Sequence, residues 1–539
     1  MDFMLDYRAT QEELVVFWDK PEEAGAVPGF LVILRDPSGE IVSRENVEKT
    51  HLTISDLKPD TTYQLALSMV SSDRNAPLSK EKPLGDLTCR TAIQKERLDI
   101  SAAPYHAVGD GRTLNTAAIQ RAIDDCRADQ TVYIPAGEWL TGALKLHSDM
   151  ELYLEEGAFL KGTEDRKDYL PKIPSRFEGY ERECYQSLLN LGDLDHTAGP
   201  NCENVVIRGK GRIFGGGAAL ARDIAREEAR ELSDYIASLG DRIREYEKPE
   251  TIAHRARGRL INMSNCRNIW IHGLDLGFSP SWNLHFIYSE QIVTDHCRFY
   301  SRGVWNGDGW DPDSSTDSTL FACEFFTEDD SVAIKSGKNP EGNIIAKPSK
   351  NIRVFDSACR YGHGLCIGSE MSGGVEGVRL WDCEMGPTWS GIEIKATRKR
   401  GAYVRDVVVR DCTASHVMLH SVGFNDDGEG APEIPVFADC RFERMYLLGR
   451  YLDNNAGHMD WHPCPSIELV GFEEEGHEIR NVRFVHTTLE NPRRGEIKSI
   501  YRPTEGATGS IYMENCGEGV SFEGIRSVAA QKEYLLYTE

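Results

Sequence analysis

Ile292-Val293-Thr294-Asp295-His296-Cys297, Leu320-Phe321-Ala322-Cys323 and Val354-Phe355-Asp356-Ser357-Ala358-Cys359 are copies of one short unit, an apolar strand run that ends on a cysteine. Val378 to Cys383, Val407 to Cys412 and Val436 to Cys440 repeat it. The cysteines that end these six units, Cys297, Cys323, Cys359, Cys383, Cys412 and Cys440, are 26, 36, 24, 29 and 28 residues apart. An irregular period of roughly 20–50 residues marks a stacked repeat architecture. Strand-rich units with loops of varied length suit a parallel β-helix, in which each repeat is one coil and insertions leave at the corners. A second echo supports this: Asn201 to Gly209 reads almost as Asn265 to Gly273.

In a stacked coil the recurring cysteine is a small apolar side chain facing inward. The alternatives are metal ligation and disulfides. Neither fits the spacing, which has no C-x-x-C pair and no histidine at ligand distance. The expectation is fourteen cysteines mostly free and buried.

Working outward, residues 1–93 have another grammar. Leu14 to Trp18, Phe30 to Leu34 and Leu57 to Leu65 are short strand runs separated by turn residues, as in a small β-sandwich. Residues 94–539 then form the β-helix. Between its two echoing repeats, a charged, alanine-rich stretch of about 218–250 reads as a helical insertion. It either walls a cleft or lies as a solvated surface helix.

The net charge is −25. A chain this acidic is a poor partner for nucleic acid, whose phosphates need a basic surface. Any acidic ligand has to be met by local Lys or Arg. No stretch approaches the roughly 18 apolar residues of a membrane span, and Met1 to Arg8 carries no apolar signal core. The expectation is a soluble, cytoplasmic protein without a membrane partner.

Four segments carry the chemistry: Asn306-Gly307-Asp308-Gly309-Trp310-Asp311, Glu328-Asp329-Asp330, Gly362-His363-Gly364 and Ile392-Glu393-Ile394-Lys395. The steps are 21 residues from Asp308 to Asp329, 33 from Asp330 to His363 and 32 from His363 to Lys395, about one coil each. Equivalent positions in adjacent coils lie about 4.8 Å apart. The spacing therefore predicts one line across four coils holding three carboxylates, an imidazole and an ammonium. Glycosidic cleavage needs one carboxyl to protonate the leaving oxygen and another to activate water or attack carbon. Crowded carboxylates push one pKa up and keep that acid protonated. Turn-forming Asp and Gly explain Asn306 to Asp311 well. They explain Asp329-Asp330 less well, because the apolar run Ser331 to Ile334 follows at once. Neighbours on a strand face opposite sides, so Asp329 and Asp330 share a cleft only if the chain bends there.

Residues 99 to about 500 resemble the polygalacturonase family, glycoside hydrolase family 28. The likeness is carried by Asp110 to Gln120, by Ile134 to Gly142, and by the Asn-x-Asp-Gly, Asp-Asp, Gly-His-Gly and x-Ile-Lys motifs in family order. The resemblance implies a right-handed β-helix that hydrolyses α-linked galacturonic acid with inversion and without a cofactor or metal. It implies Asp329 as general acid, Asp308 and Asp330 as the pair that activates water, His363 as support for the acid, and Lys395 as the contact for a substrate carboxylate. Asn306, Glu370 and Arg398 are the further candidates for substrate contact. Two departures stand out. Glu393 occupies a position where the family usually has an Arg that helps bind galacturonate, and Gly307 one where Thr is common. The cluster Arg398-Lys399-Arg400 is a candidate replacement for the missing cation. The first 93 residues resemble a fibronectin type III module, with Tyr63 in the tyrosine-corner role. That module, with segments such as Ile334-Lys335-Ser336-Gly337 and Ile367-Gly368-Ser369-Glu370, resembles exo-acting bacterial members, which favours a pectic oligosaccharide or polysaccharide trimmed from its end.

Two other functions compete. A polysaccharide lyase on the same fold would want a calcium-binding acidic cluster and an Arg or Lys base. A non-catalytic carbohydrate-binding β-helix would need no aligned carboxylates.

Overall fold

The computed structural model describes residues 3–22, 29–70, 81–246, 251–386, 388–453, 460–491, 496–501 and 509–530. The chain divides into two compact units. One is Met1–Arg97 with Arg127–Thr131, and the other is Leu98–Cys126 with Val132–Glu539.

The first unit is a β-sandwich. Leu5–Ala9, Leu14–Trp18 and His51–Ile54 form a three-stranded antiparallel sheet. Ile41–Val47, Gly29–Arg35, Thr62–Val70 and Lys82–Arg90 form a four-stranded one. Trp18 is fully buried and meets the Phe30 ring edge-on at 5.4 Å. The Tyr63 hydroxyl accepts a hydrogen bond from the Lys58 backbone N–H at 3.0 Å. That contact is the tyrosine corner expected from Leu57 to Tyr63, although the strand itself starts only at Thr62.

The second unit is a parallel β-helix. One sheet stacks Met150–Leu154, Cys202–Gly209, Cys266–His272, Glu290–Asp295, Thr319–Phe321, Ser349–Phe355, Val375–Trp381, Tyr403–Arg410 and Val436–Glu443, every neighbouring pair parallel. The repeated unit now has a mechanism. Asp382, Asp411 and Asp439, each one residue before its cysteine, have φ of 55°, 56° and 54°. Asp tolerates this left-handed region better than most residues, so it turns the corner while the next residue drops inward. Cys297, Cys323, Cys359, Cys383, Cys412 and Cys440 are buried and free. Aromatic rings stack along the same axis: Phe321 on Phe355 at 4.9 Å and Phe355 on Trp381 at 4.4 Å, each pair nearly parallel. Asn268 donates to Asn204 one coil below at 2.8 Å, which explains the echoing Asn-rich segments.

The expected helical insertion contains Gly217–Glu231, Ser233–Leu239 and a 3-10 turn at Gly240–Glu245; residues 247–250 lie outside the described ones. Leu220, Ala221, Ile224 and Ala225 pack inward from the first helix. Arg242, Tyr246 and Arg255 line a cavity of about 440 Å³ with Tyr180, Lys399 and Asp427, so the insertion does form a wall. No helix among the described residues is long and apolar enough to cross a membrane.

Candidate active site

A second parallel sheet carries the chemistry, through Leu284–Ile287, Trp310–Asp313, Glu324–Ile334, Ala358–Ile367, Ile392–Ala396 and Val417–Ser421. Trp310, Val332, Leu365 and Ile392 share one inward row in the core. Their alternation turns the intervening side chains outward, where polar groups collect.

The pairing of Glu324–Ile334 with Ala358–Ile367 slips between Phe326 and Asp330. This bulge is the bend that Asp329 and Asp330 required. The Gly-His-Gly motif makes room for it. Gly362 sits at φ +73°, and a Cβ there would meet the Thr327 carbonyl oxygen at 2.1 Å. A Cβ on Gly364 would meet the Gly391 carbonyl oxygen at 2.0 Å. His363 is thereby held against both acids: its Nδ1 is 3.1 Å from Asp330 Oδ1 and 3.3 Å from Asp329 Oδ1. The Ser331 hydroxyl donates to the His363 carbonyl at 2.7 Å.

The expected straight line across four coils needs one correction. Asp330 and His363 are register partners. Lys395 is not in their row, because Ile334, Ile367 and Ile394 are partners and place Lys335, Gly368 and Lys395 together. The length of the coil is the cause: register advances by 27 residues from Leu365 to Ile392, so the 32 residues from His363 to Lys395 carry the chain five positions past the row. Lys395 still reaches the cluster, and the attraction of Asp330 is the leading influence that keeps it charged against burial.

The charges sort by environment. Burial pushes the Asp330 carboxyl up, but Lys395 and His363 outweigh it and hold Asp330 below the ordinary carboxylate value. Burial disfavours the His363 cation, yet Asp330 and Asp329 draw its pKa above the usual histidine value. Asp308 and Asp311 go the other way, driven well up by burial despite Lys335. Neighbouring carboxylates with pKa values pushed apart are the arrangement that acid–base catalysis needs.

Glu393 is buried under Lys395. Its Oε2 lies 3.2 Å from Lys395 Nζ and its Oε1 is 2.8 Å from His420 Nε2. Burial alone would raise its pKa, but Lys395 and His420 hold it ionised. Asn306 accepts from the buried Arg257 at 2.6 Å. Glu370 is pushed toward neutrality by burial, against the pull of Lys335 and Lys338. Arg398 pairs with Glu474, with its side chain 58% exposed. Lys399 donates to the Asp426 carbonyl at 2.6 Å. Arg400 is buried and donates to the Ser369 carbonyl at 2.9 Å and to Asn339. These contacts tie two of the cluster's three cations into loop structure.

Sequence reasoning gave no site role to Lys335, Asp311, His420 or the aromatic wall of Trp389, Phe424 and Tyr501, with Trp389 stacked 6.3 Å from His363 and Tyr501 4.9 Å from His420. A signal existed for Lys335, which continues the outward parity of the strand after Val332 and Ile334.

The chain matches the model of Glycosyl hydrolases family 28 over residues 190–424, with a match to Rhamnogalacturonase A/epimerase, pectate lyase-like over 100–153 and to the Fibronectin type III domain over 4–81. It is 32% identical over 374 residues to a protein of Vitis vinifera described as "Probable polygalacturonase", covering 66% of this chain and 70% of that one. It is 26% identical over 456 residues to the "Exo-poly-alpha-D-galacturonosidase" of Dickeya chrysanthemi, covering 81% and 73%. The structure of the Yersinia enterocolitica Family 28 Exopolygalacturonase superposes with a TM-score of 0.77 at 21% identity, over 97% of this chain and 96% of that one.

Proposed function

The chain belongs to glycosyl hydrolases family 28, and we propose that it hydrolyses α-linked galacturonic acid residues of pectic poly- or oligosaccharides from the chain end, with inversion. The observation that carries this reading is the packing of Asp329, Asp330 and His363 into one cluster, in which their nearest polar atoms lie within 4.8 Å of one another. The similarity to the Dickeya enzyme, whose description names exo action on poly-α-D-galacturonate, supports the substrate and the end-wise mode.

In the proposed step Asp329 gives its proton to the glycosidic oxygen as the bond to the anomeric carbon breaks. Asp330, held ionised by Lys395 and His363, and Asp308 take a proton from the water that attacks that carbon from the opposite face. One water is consumed and one hemiacetal released. His363, charged beside both acids, restores the proton to Asp329 over the cycle. Lys395 and the aromatic wall at Trp389 and Tyr501 suit a sugar ring that carries a carboxylate. Asp329 and Asp330 lie closer together than the roughly 6.5–9.5 Å usual for inverting pairs, so inversion rests on the family likeness rather than on spacing. Asn306, Glu370 and Arg398 are proposed as outer contacts of the substrate.

Incubation with galacturonan oligosaccharides of defined length tests this reading. Stepwise release of a single product from one end is expected. Random internal cuts would remove the exo assignment, and an unsaturated product absorbing in the ultraviolet would replace hydrolysis by a lyase reaction.

A further inference from the structure

Lys335 is buried where acidic residues converge. Its Nζ lies 3.1 Å from Asp308 Oδ2, 3.8 Å from Asp311 Oδ1 and 4.7 Å from the centre of the Trp282 ring. The ammonium is not on a swinging arm. The Lys335 backbone N–H donates to the Pro312 carbonyl at 2.8 Å and Lys335 bridges Asp313 in the adjacent coil. A flat ring on one side and two carboxylates on the other fix its head.

The groups around this point are accounted for on every side. Asp308 feels Lys335, Asp311, Asp329 and Asp330, and Arg257 from the neighbouring coil. Arg257 is occupied, donating to the Pro280 and Trp305 carbonyls at 3.0 and 2.8 Å and to Asn306. Asp311 feels Lys335, Asp330 and Glu370, with Arg259 beyond. Lys335 itself feels Asp308, Asp311, Glu370 and Asp330. Asp313 is taken up by Arg176 at 2.8 Å and His285 at 3.2 Å. Among the described residues, Lys335 is therefore the cation in direct contact with the Asp308 carboxylate.

That contact is one-sided. Asp308 Oδ2 is occupied by Lys335, whereas Oδ1 is buried and without a hydrogen-bond partner among the described residues. A buried carboxylate oxygen left open beside the Asp329–Asp330–His363 cluster is placed to accept from an incoming water. Without a cation, a carboxylate this deep among three other acids would hold its proton and could accept none.

We propose that Lys335 is the positioning residue of water activation: its ammonium anchors Oδ2 of Asp308 and opposes the burial of that carboxylate, so that Oδ1 is presented to the attacking water. This rests on the reading of Asp308 as part of the water-activating pair. Lys335 moves no proton and breaks no bond; it acts through Asp308.

The experiment is kcat/KM against pH for the full chain on a galacturonan oligosaccharide, with Lys335→Met, Lys335→Gln and Lys335→Arg. Losing the cation should move the acid limb of the profile upward by roughly 1–3 pH units in the Met and Gln variants, and Arg should return it toward the wild-type position. A uniform loss of rate with the acid limb unmoved would overturn the proposal and leave Lys335 a packing residue. Should Met prove too disruptive to fold, Gln keeps a donor of similar length and decides the point by the same limb. Wild-type turnover reports the functional reading separately. An active wild type with unmoved variant limbs defeats the role of Lys335 alone, and an inactive wild type defeats both.

Discussion

Glu393 and Lys395 stand two residues apart on one strand, and the Lys395 ammonium lies 3.2 Å from Glu393 Oε2, with His420 closing the other carboxylate oxygen at 2.8 Å. The cation proposed to meet the substrate carboxylate is therefore already paired from within the protein. A galacturonate carboxylate has to share Lys395 with Glu393. Glu393→Gln removes the competing charge and keeps the shape, so KM for galacturonan oligomers is expected to fall. A raised KM at unchanged melting temperature would mean that Glu393 serves to aim Lys395 rather than to temper it.

The same geometry revises the simplest reading of Glu393 as a substitution for Arg. Glu393→Arg would set a buried guanidinium against Lys395 and His420. Breaking a buried pair in this way costs about 3–5 kcal/mol, so lost stability is expected, and not improved turnover of plain galacturonan. Thermal unfolding of the variant checks this; a melting temperature equal to wild type would contradict it.

The pH profile of kcat/KM should be bell-shaped, because one carboxyl must be protonated while its partners are ionised. Asp330 is held low by Lys395 and His363 and does not limit activity on the acid side; Asp308, pushed up by burial, does. On the alkaline side the limit is proton loss from His363. His363 is raised by its carboxylates, which places that limb above the ordinary histidine value of about 6.5. The apparent values belong to the cluster. An alkaline limb well below that value would contradict the pairing of His363 with Asp330.

Much of this was legible in residues alone. The cysteine-ended strands reported the coil because a left-handed corner and a buried thiol recur from unit to unit, and those are local demands. Asp329-Asp330 before an apolar run announced a bend. The row of Lys395 was not legible, because the register advance of a coil, here 27 residues from Leu365 to Ile392, is set by its loops and not by the spacing of the motifs. Lys335, His420 and Tyr501 were hidden for a related reason: each matters through a partner in another coil, and nothing near it in sequence names that partner. Arg400 reads as surface charge beside Arg398 and Lys399, and only the fold shows it buried.

Thiol titration in denaturant without reductant should recover most of the fourteen cysteines, since those in the described core are free and buried. This bears on the proposal of a reducing, cytoplasmic setting, and recovery of only a few would count against it.

Asp329→Asn keeps shape and removes the proton donor. Turnover should fall by roughly 10²–10⁴-fold while oligosaccharide binding, followed by calorimetry, persists. A substrate with a very good leaving group should be partly spared in Asp329→Asn and not in Asp308→Asn or Asp330→Asn, where water activation is lost. Equal loss on both substrates in all three variants would remove the division of roles.

The central claim is that Asp329 acts as acid while Asp308 and Asp330 deliver water directly to the anomeric carbon. Proton NMR of a fresh digest reads the anomeric configuration of the released sugar before mutarotation. The account predicts the β-anomer from an α-linked substrate. First appearance of the α-anomer, or a trapped covalent glycosyl-enzyme, would make one of these aspartates a nucleophile and contradict it.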